Sequence, residues 1–460
     1  MSKAQKYFLC GIGGSGMLPL AAILRARGFT VSGSDRMLDQ GRVAAKFDYL
    51  RGLGIDLYPQ DGSGIKPAQT LIASTAIEDT VPDIAAARKA GLARITRAEA
   101  LAELFNAASQ SIGIAGTSGK STTTAMAASI FHDAKQDPTV MNGAVMKNFA
   151  TDDAPFASAR IGDGEPFISE IDESDGSIAL FNPSIAILTN VAHDHKSMEE
   201  LRILFGDYLR RAEKSVVNLD NTEARSLAGH AQNSLTFSLS DHSADLFASQ
   251  IRPQPFGISF TAHYAEETAH ATMKVPGHHN VANALAAIGA AIGYGISFDD
   301  AAKSIERFQG VKRRFELIGT RNDIAVVDDF GHNPDKITAT LRTLHAFPGR
   351  LLILFQPHGF GPLRTLKNEF IQTFATEMKD DDRLFMPEPV YFGGTVDRSV
   401  SSSDVIDGVR AQNRHAECFA TRDDCADAIV SIARPGDRIV IMGARDDTLS
   451  IFARDLLSRL

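Results

Sequence analysis

The chain has 460 residues, of which 44% are hydrophobic, enough apolar material for two or three globular domains with their own cores. Its 47 basic and 56 acidic residues give a net charge of −9 and are mixed along the sequence, which disfavours nucleic acid and anionic membranes as partners. The three cysteines have no C-x-x-C spacing, the N-terminus does not resemble a signal peptide, and no apolar run reaches the length of about 18 residues typical of a membrane span. We therefore expect a cytoplasmic protein with reduced cysteines.

The N-terminal segment has the pattern of a dinucleotide-binding fold. A strand-like run over residues 6–12 ends in the glycine loop 11–16 (GIGGSG), and residues 17–27 follow with helical spacing. A second strand-like run ends at Asp35, about 20 residues further on, where an acid could bind a ribose hydroxyl. The pattern predicts that a nucleotide or its pyrophosphate binds here, although the glycines could instead serve only tight packing of helix on strand.

Residues 43–106 alternate short strand-like and helical runs, as α/β layering requires. We place the first domain boundary near residues 107–111. A nucleotide-like unit thus precedes a separate second unit, which is not the arrangement of an ordinary dehydrogenase.

The segment 113–123 (GIAGTSGKSTT) has the pattern of a phosphate-binding loop between a strand-like run and a helix. The glycines let backbone N–H groups turn toward a phosphate, and the helix N-terminus favours the anion. Lys120 is expected at the β- and γ-phosphates, and the Ser121 hydroxyl at Mg²⁺. Ile114 stands where the full pattern has a glycine, but the setting still predicts an ATP site.

Two polar clusters follow strand-like runs in the central part. Residues 170–175 (EIDESD) follow the run 166–169, and residues 189–195 (TNVAHDH) follow the run 185–188. The carboxyl ends of parallel strands form the ligand crevice of an open α/β sheet, so these acids and the imidazole could hold Mg²⁺ around ATP. Each cluster alone could equally be a solvated surface loop.

The next stretch carries less information. We expect residues 238–249 to form a surface loop and an alanine-rich helix to follow residues 276–280, ending near residue 291. Asn280 and Asn283 share one face of that helix, where they could read a base edge or cap the helix.

Residues 310–315 (GVKRRF) predict a hinge into a third domain, with Arg314 as the cation that reaches ATP. Strand-like runs then alternate with helical ones, and polar residues follow the strand ends at 328–333 and 356–361. The predicted fold is therefore α/β with three domains. Residues 1–107 form a Rossmann-like domain, 108–309 a central phosphate-loop domain with a mostly parallel sheet, and 310–460 a second Rossmann-like domain.

These motifs, taken in order along nearly the whole chain, resemble the ATP-dependent Mur ligases, which build the peptide of bacterial cell-wall precursors. The likeness is strongest to the branch that joins L-alanine to UDP-N-acetylmuramate. The resemblance implies peptidoglycan synthesis, ATP and Mg²⁺ as cofactors, and an acyl phosphate that an amine converts to an amide. The first domain would hold the UDP-sugar, the second ATP, and the third would close over ATP and deliver the amine.

The resemblance also implies roles for single residues. The UDP-sugar site would comprise Gly11, Gly13, Gly14, Ser15, Gly16, Met17, Ser34, Asp35, Ser74 and Thr75. The ATP site would comprise Gly116, Thr117, Ser118, Gly119, Lys120, Ser121, Thr122, Asn280, Asn283, Arg314, Asp329 and His332. The metal ligands would be Ser121, Glu173 and His195, with Glu170 as the next candidate, and the catalytic groups Lys120, Glu173, His195 and Arg314.

Four positions depart from the L-alanine branch: Ser118, Phe330, Asn333 and Gly359 stand where histidine, tyrosine, histidine and arginine are usual, although Arg364 lies close to Gly359. The last three lie on the side that would receive the amine, so the alternative is a murein-peptide ligase that attaches a recycled tripeptide to the same UDP-sugar. Phe205 stands where other Mur ligases carry a carbamylated lysine, which agrees with the L-alanine branch.

Two readings from other classes explain less. A nicotinamide-dependent oxidoreductase would use the first glycine loop but leave the second phosphate loop and the acidic clusters without a role. A non-catalytic UDP-sugar-binding protein would not need the predicted catalytic groups. The sequence does not predict an oligomeric state.

Overall fold

The computed structural model describes residues 5–74, 77–193, 196–389, 398–444, 446 and 448–460. The chain divides into two compact units, the first of Met1–Arg252 and Ile258–Val311, the second of Pro253–Gly257 and Lys312–Leu460. The boundary between Val311 and Lys312 falls inside the predicted hinge. Within the described ranges, no helix combines the length and the apolar character that crossing a membrane would require.

The N-terminal part of the first unit is a parallel five-stranded sheet with helices packed on it, as predicted. The strand order is β3-β2-β1-β4-β5. The strands are β1 (Lys6–Cys10), β2 (Thr30–Ser34), β3 (Asp56–Tyr58), β4 (Gln69–Ala73) and β5 (Ala93–Thr96). The helices are α1 (Met17–Ala26), α2 (Arg36–Asp39), α3 (Ala44–Gly52), α4 (Pro82–Lys89) and α5 (Arg97–Asn106). The strand order reverses between β1 and β4, so the loops that follow these strands open a crevice at their carboxyl ends.

The central part is built on a ten-stranded sheet with the order β15-β14-β13-β12-β11-β10-β6-β9-β7-β8. The strands are β6 (Gln110–Ala115), β7 (Thr139–Met141), β8 (Ala159–Arg160), β9 (Pro166–Glu170), β10 (Ile185–Leu188), β11 (Lys214–Asn218), β12 (Ser234–Ser238), β13 (Leu246–Gln254), β14 (Gly257–Tyr264) and β15 (Glu267–Met273). The helices are α6 (Lys120–Asp133), α7 (Met198–Arg211), α8 (Thr222–Leu227), α9 (His278–Tyr294) and α10 (Phe298–Ile305), with 3₁₀ turns at Ser177–Leu180 and Ala228–His230.

Strand β6, which leads into the phosphate loop, pairs in parallel with β9 on one side and β10 on the other. The two polar clusters predicted to flank the phosphate loop follow these two strands. The expectation that they meet at one edge of the sheet is therefore confirmed for the described residues.

Two expectations about this part need correction. Residues 238–249 are not a loop throughout, because β13 begins at Leu246, whose side chain is fully buried. Helix α9 runs past residue 291 to Tyr294 and ends at Gly295, whose φ of 112° suits a glycine at a helix C-terminus. Both errors come from apolar residues that pack on the sheet but follow no clear period in the sequence.

The first two predicted domains share a hydrophobic core, which explains why they form one compact unit. The ring of Phe105 on α5 lies 5.9 Å from that of Phe167 on β9 and 5.5 Å from that of Phe181, both edge to face. All three side chains are buried. Aromatic packing of this kind buries a large apolar area and holds the two sheets of the unit together.

The second unit contains a six-stranded sheet with the order β16-β17-β21-β18-β19-β20, in which only the β16–β17 pair is antiparallel. The strands are β16 (Glu316–Arg321), β17 (Ile324–Asp329), β18 (Leu351–Phe355), β19 (Arg383–Pro387), β20 (His415–Phe419) and β21 (Arg438–Met442). The helices are α11 (Pro334–His345), α12 (Phe360–Thr365), α13 (Lys367–Glu377), α14 (Ser402–Arg410), α15 (Arg422–Ile432) and α16 (Leu449–Arg459). This is the doubly wound α/β arrangement predicted for the third domain.

Candidate active site

A cleft of about 550 Å³ lies in the first unit and brings the glycine loop and the phosphate loop to one space. On one side it is lined by Gly11, Gly14, Ser15, Gly16, Met17, Asp35 and Ser74, and on the other by Lys120, Asn142, Gly143, Glu170 and Asp172. Of the residues predicted for a UDP-sugar, Gly13 and Ser34 do not line it. Thr75 lies outside the described residues.

The glycine loop takes its shape from bonds to the end of β2. The amides of Gly11 and Ile12 donate to the Ser34 carbonyl at 2.9 and 3.0 Å, and Gly11 has a φ of 76°, which favours glycine. The Ser34 hydroxyl is fully buried and donates to the Asp83 carboxylate. Ser34 therefore supports the loop from behind.

Asp35 is also engaged within the protein. One carboxylate oxygen accepts from the Gly13 amide and the other from the Met37 amide, each at 2.8 Å, and the second bond caps α2. Burial raises the pKa of Asp35, against these bonds and the charge of Lys46. These bonds show that Asp35 orders the loop. Asp35 also lines the cleft, and each of its oxygens can accept a further hydrogen bond, so its contact with a ribose hydroxyl stays a prediction.

The phosphate loop is held between β6 and α6 as predicted. Gly119 has a φ of 86°, and a Cβ there would lie 2.5 Å from the Asn283 Oδ1, so this position requires glycine. The Ser118 carbonyl accepts from the Thr189 hydroxyl at 2.7 Å and from the Asn190 side chain at 2.9 Å. The sequence reasoning assigned the cluster after β10 to the metal and missed this bracing role of Thr189 and Asn190.

The two glutamates of the EIDESD cluster have different partners. The Lys120 Nζ donates to the Glu173 Oε2 and to the Gly116 carbonyl, both at 2.7 Å. The Ser121 hydroxyl instead donates to the Glu170 Oε2 at 2.7 Å. Of the two candidates for the metal, Glu170 is therefore the one that lies beside Ser121, whereas Glu173 lies beside Lys120.

Burial and the charge of Lys120 shift the pKa values of the acidic groups near it. Burial raises the pKa of Glu173 even though the Lys120 ammonium opposes the shift. At Asp172 burial acts in the same direction, but Lys120, hydrogen bonds from Ser174 and the charge of Arg97 outweigh it and lower the pKa. Asp172 is thus a stable anion in the cleft at neutral pH.

Asn280 and Asn283 lie in the first turns of α9 and are buried. The Asn280 amide donates to the Pro276 carbonyl at 2.7 Å, and the Asn283 amide donates to the Asn280 Oδ1 at 3.1 Å. The Asn283 Oδ1 also accepts from the Thr123 hydroxyl on α6 at 3.2 Å. This chain of bonds joins α9 to the phosphate-loop helix, so both amides act first on the position of that loop.

The remaining candidate residues of the central part lie in different environments. Thr117 donates from its hydroxyl to the Asn190 Oδ1 at 2.7 Å, and Thr122 lies half-buried on α6. Ser118 is exposed. His195 lies outside the described residues.

In the second unit, Arg314 sits in a strained turn. Its neighbours Arg313 and Phe315 have φ values of 60° and 48°, a left-handed backbone that costs non-glycine residues roughly 1–2 kcal/mol each. The guanidiniums of Arg313 and Arg314 both lie over the ring of Phe330, at 5.3 and 4.6 Å from its centroid. Buried Arg313 is anchored on the Asp328 carboxylate at 3.3 Å and the Gly443 carbonyl at 2.5 Å.

Asp329, a predicted ATP-site residue, joins this turn to the segment that follows β17. One of its oxygens accepts from the Phe315 amide at 2.8 Å, and the other from the Gly331 amide at 3.1 Å and the Thr340 hydroxyl at 2.7 Å. These bonds stabilise the strained backbone beside Arg314. Asp329 is thus a structural clamp for the residues around it.

His332 is held neutral in a ring cluster. Its Nδ1 lies 2.9 Å from the Phe330 carbonyl, which can only accept, so Nδ1 carries the proton. Its ring meets those of Phe330 and His358 edge to face at 5.3 and 5.4 Å. Burial, and next the charge of Lys336, lower the pKa of His332 to about 3.

Two of the three departures in this unit, Asn333 and Gly359, have local structural reasons. Asn333 caps α11 by accepting from the Lys336 amide at 3.0 Å. Gly359 precedes α12 with a φ of 146°, which an arginine would adopt only with strain. The loop after β18 is therefore built for glycine.

The fold and the cleft are those of a multidomain α/β protein in which the glycine loop and the predicted phosphate loop open onto one space. Three family models match the chain: the Mur ligase family catalytic domain over residues 6–109, the Mur ligase middle domain over 114–291, and the Mur ligase glutamate ligase domain over 313–445. The chain belongs to the Mur ligase family, whose members are ATP-dependent ligases. The oxidoreductase reading is thereby set aside.

Individual relatives cover nearly the full chain. A UDP-N-acetylmuramate–L-alanine ligase of Geotalea daltonii is 33% identical over 96% of this chain and 95% of its own length. The crystal structure of a UDP-N-acetylmuramate–alanine ligase of Thermotoga maritima has a TM-score of 0.79 at 23% identity, over 98% of each chain, and shows the same fold. A murein peptide ligase of Psychrobacter arcticus has a TM-score of 0.72 at 26% identity, over 99% of this chain and 98% of its own.

Proposed function

We propose that this chain joins L-alanine to UDP-N-acetylmuramate, with ATP as the energy source, in peptidoglycan precursor synthesis in the cytoplasm. The observation that carries the proposal is that the glycine loop and Lys120 line the same cleft. A nucleotide-sugar bound at the first loop would present its reactive end to a phosphoryl group held at the second. The L-alanine ligases among the relatives support this choice of substrates.

We propose that the UDP-sugar binds along Gly11, Gly14, Ser15, Gly16 and Met17, with Ser74 and Thr75 on the neighbouring loop. Gly13, Ser34 and Asp35 would act mainly by shaping this loop, since their polar groups are engaged within the protein. The N-terminus of α1 would favour the negative charge of the pyrophosphate.

ATP would bind at the phosphate loop, residues 116–122. The Lys120 ammonium has three N–H donors, of which two are engaged with Glu173 and Gly116, so one remains for a phosphate oxygen. Asn280 and Asn283 would position the loop, and Arg314, Asp329 and His332 of the third domain would complete the ATP site. Arg314 would place a second positive charge on the transferring phosphoryl group.

The magnesium site fits Ser121 and Glu170. The two oxygens lie 2.7 Å apart, and hydroxyl and carboxylate oxygens are ligands that Mg²⁺ prefers. When bound, the ion would neutralise charge on the phosphate oxygens. We assign Glu173 to holding Lys120 rather than to the metal, and keep His195 as a candidate ligand.

The reaction would proceed in two displacements. An oxygen of the sugar-linked carboxylate bonds to the γ-phosphorus of ATP as ADP leaves, which gives an acyl phosphate. The amine nitrogen then bonds to the acyl carbon and loses a proton, the C–O bond to phosphate breaks, phosphate leaves with its electron pair, and an amide forms. Lys120 and Arg314 would stabilise the charge of the first step by position and electrostatics.

We propose three functional domains with the boundaries 1–107, 108–309 and 310–460. The three sheets and the three family-model matches support this division. The third domain would deliver the amine and exclude water from the acyl phosphate.

The acyl phosphate can be tested by isotope transfer. UDP-N-acetylmuramate labelled with ¹⁸O in its carboxylate should pass one ¹⁸O to the inorganic phosphate during ligation, because the C–O bond to phosphate breaks. Mass spectrometry of the released phosphate gives the answer. Phosphate without label, in the presence of product, would contradict this route.

Phe330 should matter through Arg314. Phe330→Leu removes the aromatic face beneath both guanidiniums and is expected to lower the rate of phosphate release by about 3- to 30-fold, the range of cation–π energies. Phe330→Tyr retains the face and should keep the wild-type rate within about twofold. If the leucine variant matches the wild type, the ring does not position Arg314.

A further inference from the structure

Arg97 lines the same cleft, and apart from its effect on the pKa of Asp172 it has no role in the assignments above. It is the first residue of α5, whose start is fixed by a capping box between Thr96 and Glu99. Its side chain runs along the glycine loop: a Cβ at Gly16 would lie 3.0 Å from the Arg97 Cδ and 3.2 Å from Nε and Nη1. The guanidinium is therefore packed against the start of α1.

Within the fold, the interaction that favours a cation at this place is with the Asp172 carboxylate, whose pKa the charge of Arg97 helps to lower. A positive charge in the first turn of a helix opposes the helix dipole. Within the described ranges, no hydrogen bond or ion pair engages the Arg97 guanidinium, whereas Arg94, three residues earlier, pairs with Asp79 at 2.7 Å. Arg97 thus combines an unfavourable position with an unused set of N–H donors.

Few positive charges line the cleft. The cationic side chains among the described residues that line it are Arg97 and Lys120. Lys120 is tied to Glu173 and Gly116 and serves the phosphate loop. The nucleotide-sugar brings two further phosphate charges. Of the cations near the glycine loop, Lys46 is buried and donates to the Gly13 carbonyl at 2.9 Å, whereas Arg97 lines the cleft itself.

We infer that Arg97 binds the pyrophosphate of the nucleotide-sugar, holding it at the start of α1 beside Gly16. This inference rests on the proposed function, since it takes the UDP-sugar as the ligand of the cleft. A guanidinium offers paired N–H donors that match phosphate oxygens. The carboxylate of the sugar is the other anion of the same ligand, and the test must separate the two.

The test is calorimetric binding, without ATP, of UDP, UDP-N-acetylglucosamine and UDP-N-acetylmuramate. Only the last carries the reactive carboxylate. Arg97→Gln should weaken all three by about 10- to 100-fold, the worth of a charge-assisted hydrogen bond or pair of them. Arg94→Gln, the matched control on β5, should bind all three as the wild type does.

Two further variants sharpen the result. Arg97→Lys keeps the charge but loses the fork of donors, so it should restore only part of the affinity. Gly16→Ala leaves Arg97 in place but introduces a methyl group against its side chain, so it should weaken UDP as well.

Unchanged UDP affinity in Arg97→Gln would overturn the inference. So would weakening confined to UDP-N-acetylmuramate, because that pattern assigns Arg97 to the carboxylate. A wild-type protein that binds none of the three ligands would instead contradict the proposed function itself, so the two failures are distinguishable.

Discussion

Lys120→Ala is expected to lower ATP-dependent phosphate release by at least about 1,000-fold, the scale found when a charge that stabilises a transferring phosphoryl group is removed. The ammonium is fixed by two bonds of 2.7 Å, to Glu173 and to the Gly116 carbonyl, so its position is set before any phosphate arrives. An alanine removes both the charge and this positioning. The measurement is the rate of phosphate release at saturating substrates.

The control is Lys303→Ala, on an exposed face of α10, which should retain the wild-type rate. Lys120→Ala also leaves the buried Glu173 without its partner, so the free energy of unfolding should fall by about 1–3 kcal/mol. Denaturant unfolding then separates a folded, inactive variant from an unfolded one. A folded Lys120→Ala protein with near-normal turnover would contradict the role of the phosphate loop.

Glu170→Gln is expected to reduce activity by about 100-fold or more and to raise the Mg²⁺ concentration needed for half-maximal rate, because it removes the charge beside Ser121. Glu173→Gln should have a smaller effect, about tenfold, because an amide oxygen can still accept from Lys120. The two glutamates are three residues apart, so the pair is a matched comparison. Phosphate release is measured over a Mg²⁺ titration.

Glu213→Gln, an exposed position, serves as the control for loss of a carboxylate and should behave as wild type. The reverse order, with Glu173→Gln the more damaging and the more dependent on Mg²⁺, would return the metal to Glu173. Equal Mg²⁺ dependence in both variants and the wild type would mean that neither carboxylate is a ligand.

The features that could be predicted from the sequence are those that local pattern encodes. A glycine loop between a strand and a helix has few alternatives, because only such a turn lets backbone amides face an anion, and both loops are found where they were expected. The alternation of strand-like and helical apolar runs predicted the three α/β domains. Strand β13 was missed because its sequence (LFASQIRPQ) mixes few apolar residues with polar ones, a composition that also suits a surface loop.

The roles of side chains within the site depend on tertiary contacts that no local pattern contains. Glu170 and Glu173 are equally plausible in the sequence, and only the pairing of β9 with β6 places the first beside Ser121 and the second beside Lys120. Asn283 was predicted to read a base edge or to cap its helix, and in the structure it accepts a hydrogen bond from Thr123 on α6. Arg97 lies 23 residues before Lys120 in the chain, and its presence in the cleft follows from the packing of α5.

The choice of acceptor amine is the sharpest test of the proposed function. The purified protein, given ATP, Mg²⁺ and UDP-N-acetylmuramate, is assayed for phosphate release with L-alanine, glycine, L-serine or the cell-wall tripeptide. The proposed function predicts release that depends on L-alanine, with the ligated product confirmed by mass. Release with the tripeptide alone would contradict this function and identify a murein-peptide ligase. A protein that binds the UDP-sugar but releases no phosphate with any of the four amines would contradict the assignment as an L-alanine ligase.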